Sequence, residues 1–358
     1  GDHRDLHLSI RRQRQMCIRD RSKDHHFAID ATVEKQVVLI NDHRTPQSYS
    51  AAWQATIGDA VVGSQTLSGT MKVGEIVKLP ITFKTTQPGS GKITLTARIG
   101  PDSSEDVLDF VSFAPEPQST GEWLAFDPKG ATTELLKRLG YSVKPWTTGV
   151  PPADAVVIVG QSALSGDGHT GQRDLPADLT EFVRSGGRLL VMGQDPDWVR
   201  HALHLRVANH VARRVYTVDP LHPIMEGLNE KSLFDWNGAG ALVEPYPQYP
   251  GYETTLAYGR RNGNQGSVTS AAIEKPHRSS LRPILECEFD LAYSPLMEME
   301  FGEGRVTVCT LDVEARTVTD PAAMKLMRQV LENVRHAPIQ PKAKRVIYLG
   351  DDAGADLL

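Results

Sequence analysis

The polar residues best suited to binding chemistry form two runs, Asp235-Trp236-Asn237-Gly238 and residues 260–266, which read Arg-Arg-Asn-Gly-Asn-Gln-Gly. An indole ring can stack on the apolar face of a sugar, and carboxylate, amide and guanidinium groups can bind its hydroxyls. The pattern therefore predicts a ligand site formed by Asp235, Trp236, Asn237, Arg261 and Asn264. The same residues also fit a buried tryptophan beside a Gly/Asn turn, which would have only a structural role.

Catalytic residues are harder to find. An amidotransferase-type site needs a nucleophilic cysteine at a sharp turn between a strand and a helix. The corresponding turn, Val159-Gly160-Gln161-Ser162-Ala163, has no cysteine, and Ser162 lacks the G-x-S-x-G frame of serine hydrolases. Cys287 and Cys309 fall within predicted strands, where a thiol usually packs as a small apolar group. The sequence therefore predicts no catalytic residue.

Two motifs suggest a cofactor or a metal but lack the required context. Residues 166–171 fit the dinucleotide pattern G-x-G-x-x-G, yet the preceding predicted strand ends at Gly160, and in a true fingerprint the glycines follow the strand directly. The second motif is a group of three histidines, His201, His204 and His210. No cysteine or acidic pair lies at a spacing that would complete a metal site with them. The sequence therefore predicts no cofactor and no metal.

Two pairs of glutamates raise the question of glycoside hydrolysis. Glu286/Glu288 and Glu298/Glu300 are each two residues apart, so both members of a pair project from the same face of a strand. Glycosidases instead place two carboxyl groups on either side of the scissile bond, about 5 to 9.5 Å apart. We therefore expect these glutamates to contribute surface charge.

Composition narrows the class of protein. The chain has 358 residues, of which 40% are hydrophobic and 23% charged, a balance typical of folded proteins. Its net charge of -5 gives no general attraction to nucleic acid, and no apolar run approaches the roughly 18 residues of a membrane helix. Three cysteines cannot form a disulfide framework. Neither nucleic acid nor a membrane is an expected partner.

Two element patterns divide the chain. Residues 25–114 contain short β-rich runs separated by turn residues, which predicts an all-β, Ig-like sandwich with alternating burial over residues 92–99. Residues 115–120 predict a linker, because closely spaced prolines disfavour both helix and ladder pairing. Residues 121–338 repeat a strand–turn–helix order, which predicts an α/β domain with a parallel sheet whose later strands are partly antiparallel.

Both ends of the chain depart from this plan. Residues 1–24 carry many basic side chains without apolar periodicity, which predicts a disordered arm. Residues 16–21 resemble the translation of a sequencing-library adapter, so we expect the arm to be foreign to the natural protein. Residues 345–358 repeat the strand and turn of residues 123–136. We interpret residues 339–358 as the truncated start of a second α/β domain.

Taken together, these motifs resemble the accessory region of large bacterial glycoside hydrolases of the family 2, β-galactosidase-like type. The matching segments occur in order and comprise residues 34–42 with Trp53, 235–238, 263–268, 273–276, 293–298, and 311–313 with Arg316 and Thr317. The resemblance implies an Ig-like domain followed by a flavodoxin-like α/β domain similar to class I glutamine amidotransferases. It also implies that the sugar-cleaving carboxylates lie in a separate barrel. Because the amidotransferase cysteine is absent, that activity is not carried over.

The resulting hypothesis is a non-catalytic accessory fragment of a multidomain glycoside hydrolase, which serves as a scaffold or as an auxiliary glycan contact. Its implied partners are the other domains of the parent chain and carbohydrate. The alternative is a free-standing small-molecule-binding or sensor domain of amidotransferase-like fold, without amidotransferase activity. Its ligand would lie at the carboxyl ends of the strands predicted at residues 123–126 and 155–159, where open α/β sheets bind ligands.

Overall fold

The computed structural model describes residues 16–19, 24–164, 174–208, 211–238, 266–277, 279–287 and 290–339. A β-sandwich, formed by residues 16–19 and 24–113, is followed by a linker and by a mixed-sheet region, residues 122–339. Among the residues described, no helix has the length and apolar character needed to cross a bilayer.

The sandwich consists of two sheets. Its strands are β1 (Met16–Arg19), β2 (His26–Ala28), β3 (Thr32–Ile40), β4 (Gln47–Ile57), β5 (Ala60–Met71), β6 (Ile76–Lys84), β7 (Gly89–Ile99) and β8 (Asp102–Phe113). One sheet has the order β2-β8-β7-β4-β5, and the other has the order β1-β3-β6. The predicted all-β sandwich is confirmed.

The two sheets pack through side chains that alternate along each strand. In β3, Val33, Val37 and Leu39 are fully buried, and the residues between the buried ones are more exposed. Ile93 and Leu95 of β7 are buried in the same core, in the alternating pattern predicted for residues 92–99. A period of two gives each strand one apolar face, and the core forms where these faces meet.

Strand β1 lies within the predicted arm. It pairs antiparallel with β3, so that Met16 lies opposite Leu39. The edge of β3 offers N–H and C=O groups to any extended segment, and side-chain periodicity does not reveal such pairing. The arm is therefore not structureless at residues 16–19, while its foreign origin stays a prediction.

The described part of the mixed-sheet region contains nine strands and four α-helices, besides short 3₁₀ and π-helical turns. In chain order these are β9 (Glu122–Phe126), α1 (Ala131–Arg138), β10 (Ser142–Pro145), β11 (Val156–Val159), α2 (Ala177–Arg184), β12 (Arg188–Met192), α3 (Pro196–Trp198), β13 (Val215–Thr217), β14 (Ile273–Glu274), β15 (Arg282–Cys287), β16 (Tyr293–Phe301), β17 (Gly304–Cys309) and α4 (Pro321–His336). These counts cover only the described part of the chain. The sheet order is β10-β9-β11-β12-β17-β16-β15-β13, and β14 pairs with β16.

Strand direction changes part-way across this sheet. Strands β10, β9, β11, β12 and β17 run parallel to one another. Strands β16, β15 and β13 continue the sheet in antiparallel fashion, as predicted for the later strands. Strand β10 was not predicted, because this short edge strand carries only one clearly apolar residue, Val143.

Helices cover both faces of the parallel part. Leu135 of α1 and Leu326 of α4 pack with Ile158 and Leu190 on one face. Phe182 of α2 packs with neighbouring strand residues on the other face. Because both faces are covered there, the central parallel strand β11 is apolar and buried along its whole length. The polar residues Gln161 and Ser162 follow just beyond its end.

Candidate functional site

The residues predicted to bind a ligand at 235–237 lie in a tightly bonded turn. Asp235 has a positive φ of 46° and forms an ion pair with Arg213, with 2.9 Å between Oδ1 and Nη2. The backbone N–H of Asn237 donates to Asp320 Oδ2 at 2.8 Å. Arg261 and Asn264, the other two predicted ligands, lie outside the described residues.

Trp236 occupies the core of the mixed-sheet region. Its side chain is almost completely buried, and its indole N–H donates to the Ser232 carbonyl at 3.0 Å. The buried guanidinium of Arg316 donates to the Trp236 carbonyl at 2.5 Å and pairs with Asp312 at 2.7 Å. The indole therefore has no exposed face for stacking on a sugar, and the geometry fits the structural alternative for this residue.

A second group of polar residues lies at the carboxyl ends of the parallel strands. Asp127 follows β9, Gln161 and Ser162 follow β11, and Glu314 follows β17, while Thr132 lies in the first turn of α1. We call these five residues the carboxyl-edge cluster. Open α/β sheets bind ligands at this edge, because the loops there are free of the strand ladder. The sequence singled out the turn at Gln161 and Ser162, and the alternative function placed its ligand at the carboxyl ends of the strands predicted at residues 123–126 and 155–159.

The turn after β11 has an unusual backbone. Ser162 has a φ of 53°, a left-handed conformation that is unfavourable for a residue with a Cβ atom. Its N–H donates to the Gly193 carbonyl at 2.8 Å. The buried amide of Gln194 donates to the Gly160 carbonyl and accepts from the Leu164 N–H, both at 2.8 Å. The surrounding bonds thus hold Ser162 in a strained conformation.

A close approach of two strand ends explains Gly160. A Cβ atom at this position would lie 2.3 Å from Asp127 Oδ1, so a larger residue would displace the carboxylate. The other oxygen, Asp127 Oδ2, accepts from the Thr133 N–H at 2.7 Å, in the first turn of α1. The missing Cβ atom at Gly160 therefore lets the Asp127 carboxylate pack against the turn after β11.

Thr132 connects the other members of the cluster. Its hydroxyl oxygen accepts from the Gln161 N–H at 2.9 Å and donates to Glu314 Oε1 at 3.4 Å. Thr132 is fully buried, and both Gln161 and Glu314 are more than nine-tenths buried. One hydroxyl thus joins the ends of β11 and β17 to α1.

Three polar atoms of the cluster are buried without a hydrogen-bond partner among the described residues. They are Asp127 Oδ1, Gln161 Nε2 and Glu314 Oε2. Such groups are rare in folded proteins, because an unpaired buried polar atom costs about 1–3 kcal/mol. Two acceptors and one donor therefore remain available in one neighbourhood.

Burial also changes the acidity of Glu314. It raises the pKa of this carboxyl to about 7, and the negative charges of Asp312 and Asp127 contribute to the increase. Near neutral pH the carboxyl can therefore donate or accept a proton in a hydrogen bond. The Arg138 guanidinium does not compensate the charge directly, because it donates to the Glu314 backbone carbonyl and to Thr317 Oγ1.

The other candidate groups have structural partners or lack the required neighbours. Glu298 and Glu300 both interact with Arg282, and Glu286 pairs with Lys275 at 2.8 Å. Glu288 and His210 lie outside the described residues.

In the part of the chain that the structure describes, Cys309 and the possible metal-ligating side chains do not form a reactive or metal-binding site. Burial raises the pKa of Cys309 to about 12, so this thiol stays protonated near neutral pH. Within the described part of the chain, no three His, Cys, Asp or Glu side chains are grouped to hold a metal.

Thr132 and Glu314 were not recognised from the sequence. Glu314 does carry a usable signal, because it closely follows the apolar run at residues 305–310 in the parallel part of the sheet. Thr132 carries none, since its role depends on contacts 29 and 182 positions away.

No protein-family model and no curated protein matches the chain. Among solved structures, PapD-like domain 7 of human CEP192 is 16% identical with a TM-score of 0.22, over 28% of this chain and 87% of that chain. A CARDB domain from Pyrococcus furiosus, solved in complex with di-metal ions, is 15% identical with a TM-score of 0.22, over 28% and 90% of the two chains.

Salmonella alpha-2-macroglobulin, solved after reaction with methylamine, is 15% identical with a TM-score of 0.24. The match covers 28% of this chain and 7% of that chain. At these TM-scores the likenesses carry no conclusion about a site or an activity.

Proposed function

We propose that the chain is a non-catalytic accessory region of a large multidomain glycoside hydrolase. Its mixed-sheet region would bind a neutral polyhydroxylated ligand, such as the end of a glycan, at the carboxyl-edge cluster. The observation that carries this proposal is the group of three buried polar atoms without partners, Asp127 Oδ1, Gln161 Nε2 and Glu314 Oε2. A ligand with several hydroxyls would supply what these atoms lack.

The types of the three atoms favour hydroxyl groups. Carboxylate oxygens need a donor and an amide nitrogen needs an acceptor, and a hydroxyl can act as both. The acids Asp127 and Glu314 disfavour an anionic ligand. Glu314, with a pKa raised to about 7, is also a weaker attraction for a cation than a permanent carboxylate. The chemistry of a sugar fits better than either kind of ion.

The strand order supports a flavodoxin-like interpretation of the mixed-sheet region. Numbered along the chain, the parallel strands β10, β9, β11, β12 and β17 have the order 2-1-3-4-5, which is the order of flavodoxin-like folds. Ser162 stands at the turn where the resemblance implies the cysteine of an amidotransferase. The strand order is thus compatible with the flavodoxin-like domain that the resemblance implies, which stays part of the proposal.

Thermal unfolding of the full chain with D-galactose at concentrations up to about 100 mM tests the proposal, since a ligand that binds only the folded state raises Tm. We expect galactose to raise Tm of the wild type and of Asp235→Asn, but not of Gln161→Met or Glu314→Met. If the rise in Tm were lost only in Asp235→Asn, galactose would bind at residues 235–238 and not at the carboxyl-edge cluster. Absence of a shift with galactose, glucose and xylose would overturn the proposal.

A second arm separates the alternative function. A rise in Tm with nucleotides but not with sugars would favour the free-standing small-molecule sensor. For the excluded amidotransferase activity, incubation with glutamine should release no more ammonia from the wild type than from Ser162→Ala. A clear excess from the wild type would contradict a non-catalytic role.

A further inference from the structure

We propose that His26 and Asp320 form a proton-controlled latch that holds the sandwich to the mixed-sheet region. His26 lies in β2 of the sandwich, and Asp320 directly precedes α4. His26 Nδ1 is 2.9 Å from Asp320 Oδ2, and both side chains are completely buried. A pair 294 positions apart thus joins the two regions. The latch does not depend on the ligand site proposed above.

Both ring nitrogens of His26 face groups that can only accept. Nδ1 faces the Asp320 carboxylate, and Nε2 is 2.8 Å from the Lys231 carbonyl oxygen. Both contacts are hydrogen bonds only when the imidazole carries two N–H groups, which is its protonated state. Loss of one proton would leave a buried acceptor facing a nitrogen lone pair, which is unfavourable.

The Asp320 carboxylate also accepts hydrogen bonds from two further parts of the mixed-sheet region. Its Oδ1 accepts from the N–H groups of Ala322 at 2.9 Å and Ala323 at 3.1 Å, which caps α4. Its Oδ2 accepts from the N–H of Asn237, in the turn that contains Trp236. The proton on His26 therefore stabilises a carboxylate that orders β2, α4 and residues 235–238 together.

The charged groups near His26 favour its protonation overall. Burial lowers the pKa of His26, but the charge and hydrogen bond of Asp320, the Lys231 carbonyl and the charge of Asp235 outweigh it and raise the pKa above 6.5. Lys231 lies in a 3₁₀ helix, Glu230–Leu233, and its Nζ is itself paired with Asp109 Oδ2 of β8 at 2.8 Å. Its positive charge is therefore partly compensated.

The pKa of the adjacent His25, also in the sandwich, is shifted in the opposite direction from that of His26. Burial lowers the pKa of His25, and the positive charges of His26 and Lys35 lower it further. His25 therefore loses its proton at a lower pH than His26 does. Of these two histidines, His26 is the one that contacts a carboxylate of the mixed-sheet region.

The direction of the pH effect follows from the raised pKa of His26. A base with a raised folded-state pKa stabilises the folded state below its unfolded value of about 6.5, and this contribution is lost as pH rises through the folded pKa. Docking should therefore be strong at pH 6 and weaken as pH rises through the folded-state pKa of His26. For one linked proton, the undocked fraction can rise at most about tenfold per pH unit.

Histidine titration by NMR on the full chain, labelled with ¹³C-histidine, tests the latch directly. The His26 signal is assigned with His26→Gln. We expect a pKa above 6.5 in the wild type and a lower pKa in Asp320→Asn. A His26 ring that is neutral at pH 6 in the folded wild type would overturn the latch without the need for any variant.

Protease cleavage of the linker provides a second readout, because residues 114–121 have no regular structure and connect β8 to β9. Rates of subtilisin cleavage between pH 6 and 9 are divided by those of a free peptide of the same sequence. We expect the wild-type ratio to rise with pH, by at most about tenfold per unit. The ratio should be independent of pH in Asp320→Asn.

His43 offers a matched control within the sandwich. Its Nε2 is 3.1 Å from Asp102 Oδ2, so it is also paired with an acid, but both residues belong to the same region. His43→Gln should leave the pH profile of linker cleavage unchanged. A wild-type ratio that does not rise with pH, or one that rises equally in Asp320→Asn, would overturn the latch.

Discussion

Glu314 and Asp320 are two buried acids close together in the chain, and their surroundings are opposite. The Asp320 carboxylate accepts hydrogen bonds from His26 and from the backbone N–H groups of Asn237, Ala322 and Ala323. The Glu314 carboxyl has Thr132 at 3.4 Å from one oxygen, and its other oxygen has no partner among the described residues. Similar burial thus accompanies very different bonding.

This difference separates a structural acid from a candidate binding acid. A buried carboxylate whose oxygens are fully bonded contributes to stability and has no capacity left for a ligand. A buried carboxyl with an unpaired oxygen destabilises the folded protein until something binds to it. Burial alone therefore does not identify a site, and the proposal depends on three unpartnered polar atoms of the carboxyl-edge cluster.

Asp320→Ala is expected to change the free energy of unfolding more than any other variant proposed here. Removing one partner of a buried charge pair costs about 3–5 kcal/mol, and here three backbone donors also lose their acceptor. Denaturant unfolding at pH 6 measures the loss. Asp195→Ala is the matched control, since Asp195 caps α3 through a single bond to the Trp198 N–H and should lose only about 1 kcal/mol. Equal losses in the two variants would contradict the structural role of Asp320.

Glu314→Gln should instead increase the free energy of unfolding, so that the variant is more stable than the wild type. Burial raises the pKa of Glu314 to about 7, and an acid with a raised pKa loses stability as pH rises from its unfolded value to its folded one. From 4.5 to about 7 this loss amounts to about 3 kcal/mol, which is an upper bound for the gain of the amide variant at pH 8. At pH 4 the two proteins should unfold at nearly the same denaturant concentration.

A smaller gain is expected for Ser162→Gly. The positive φ of Ser162 costs a residue with a Cβ atom about 1 kcal/mol, and glycine removes that cost. Ser64→Gly in the extended strand β5 is the control and should lose about as much, because glycine is unfavourable in a strand. A loss of stability in Ser162→Gly would show that the strained turn depends on the serine hydroxyl.

Features that depend on local pattern could be predicted from the sequence. Ile93 and Leu95 alternate with polar residues, and this period alone identifies a strand with one buried face. The antiparallel direction of β16 could also be predicted, because too few residues remain for a crossover helix. In both cases the signal lies within a short stretch of chain.

Features that depend on distant contacts could not be predicted. His26 gave no signal, because its partner Asp320 is 294 positions away. The sequence left Trp236 open between stacking and burial, and the decision depends on Ser232 and Arg316, which bind its indole and its carbonyl. Neither contact can be read from the composition of residues 235–238.

The most direct test applies the same chemical change to both acids. Unfolding free energies of Glu314→Gln and Asp320→Asn are measured beside the wild type at pH 7.5. We expect Glu314→Gln to be more stable, because the amide removes an unpaired buried charge. We expect Asp320→Asn to be less stable, because it loses the charge that faces His26, Asn237 and α4. Changes of the same sign would contradict the distinction between the two acids.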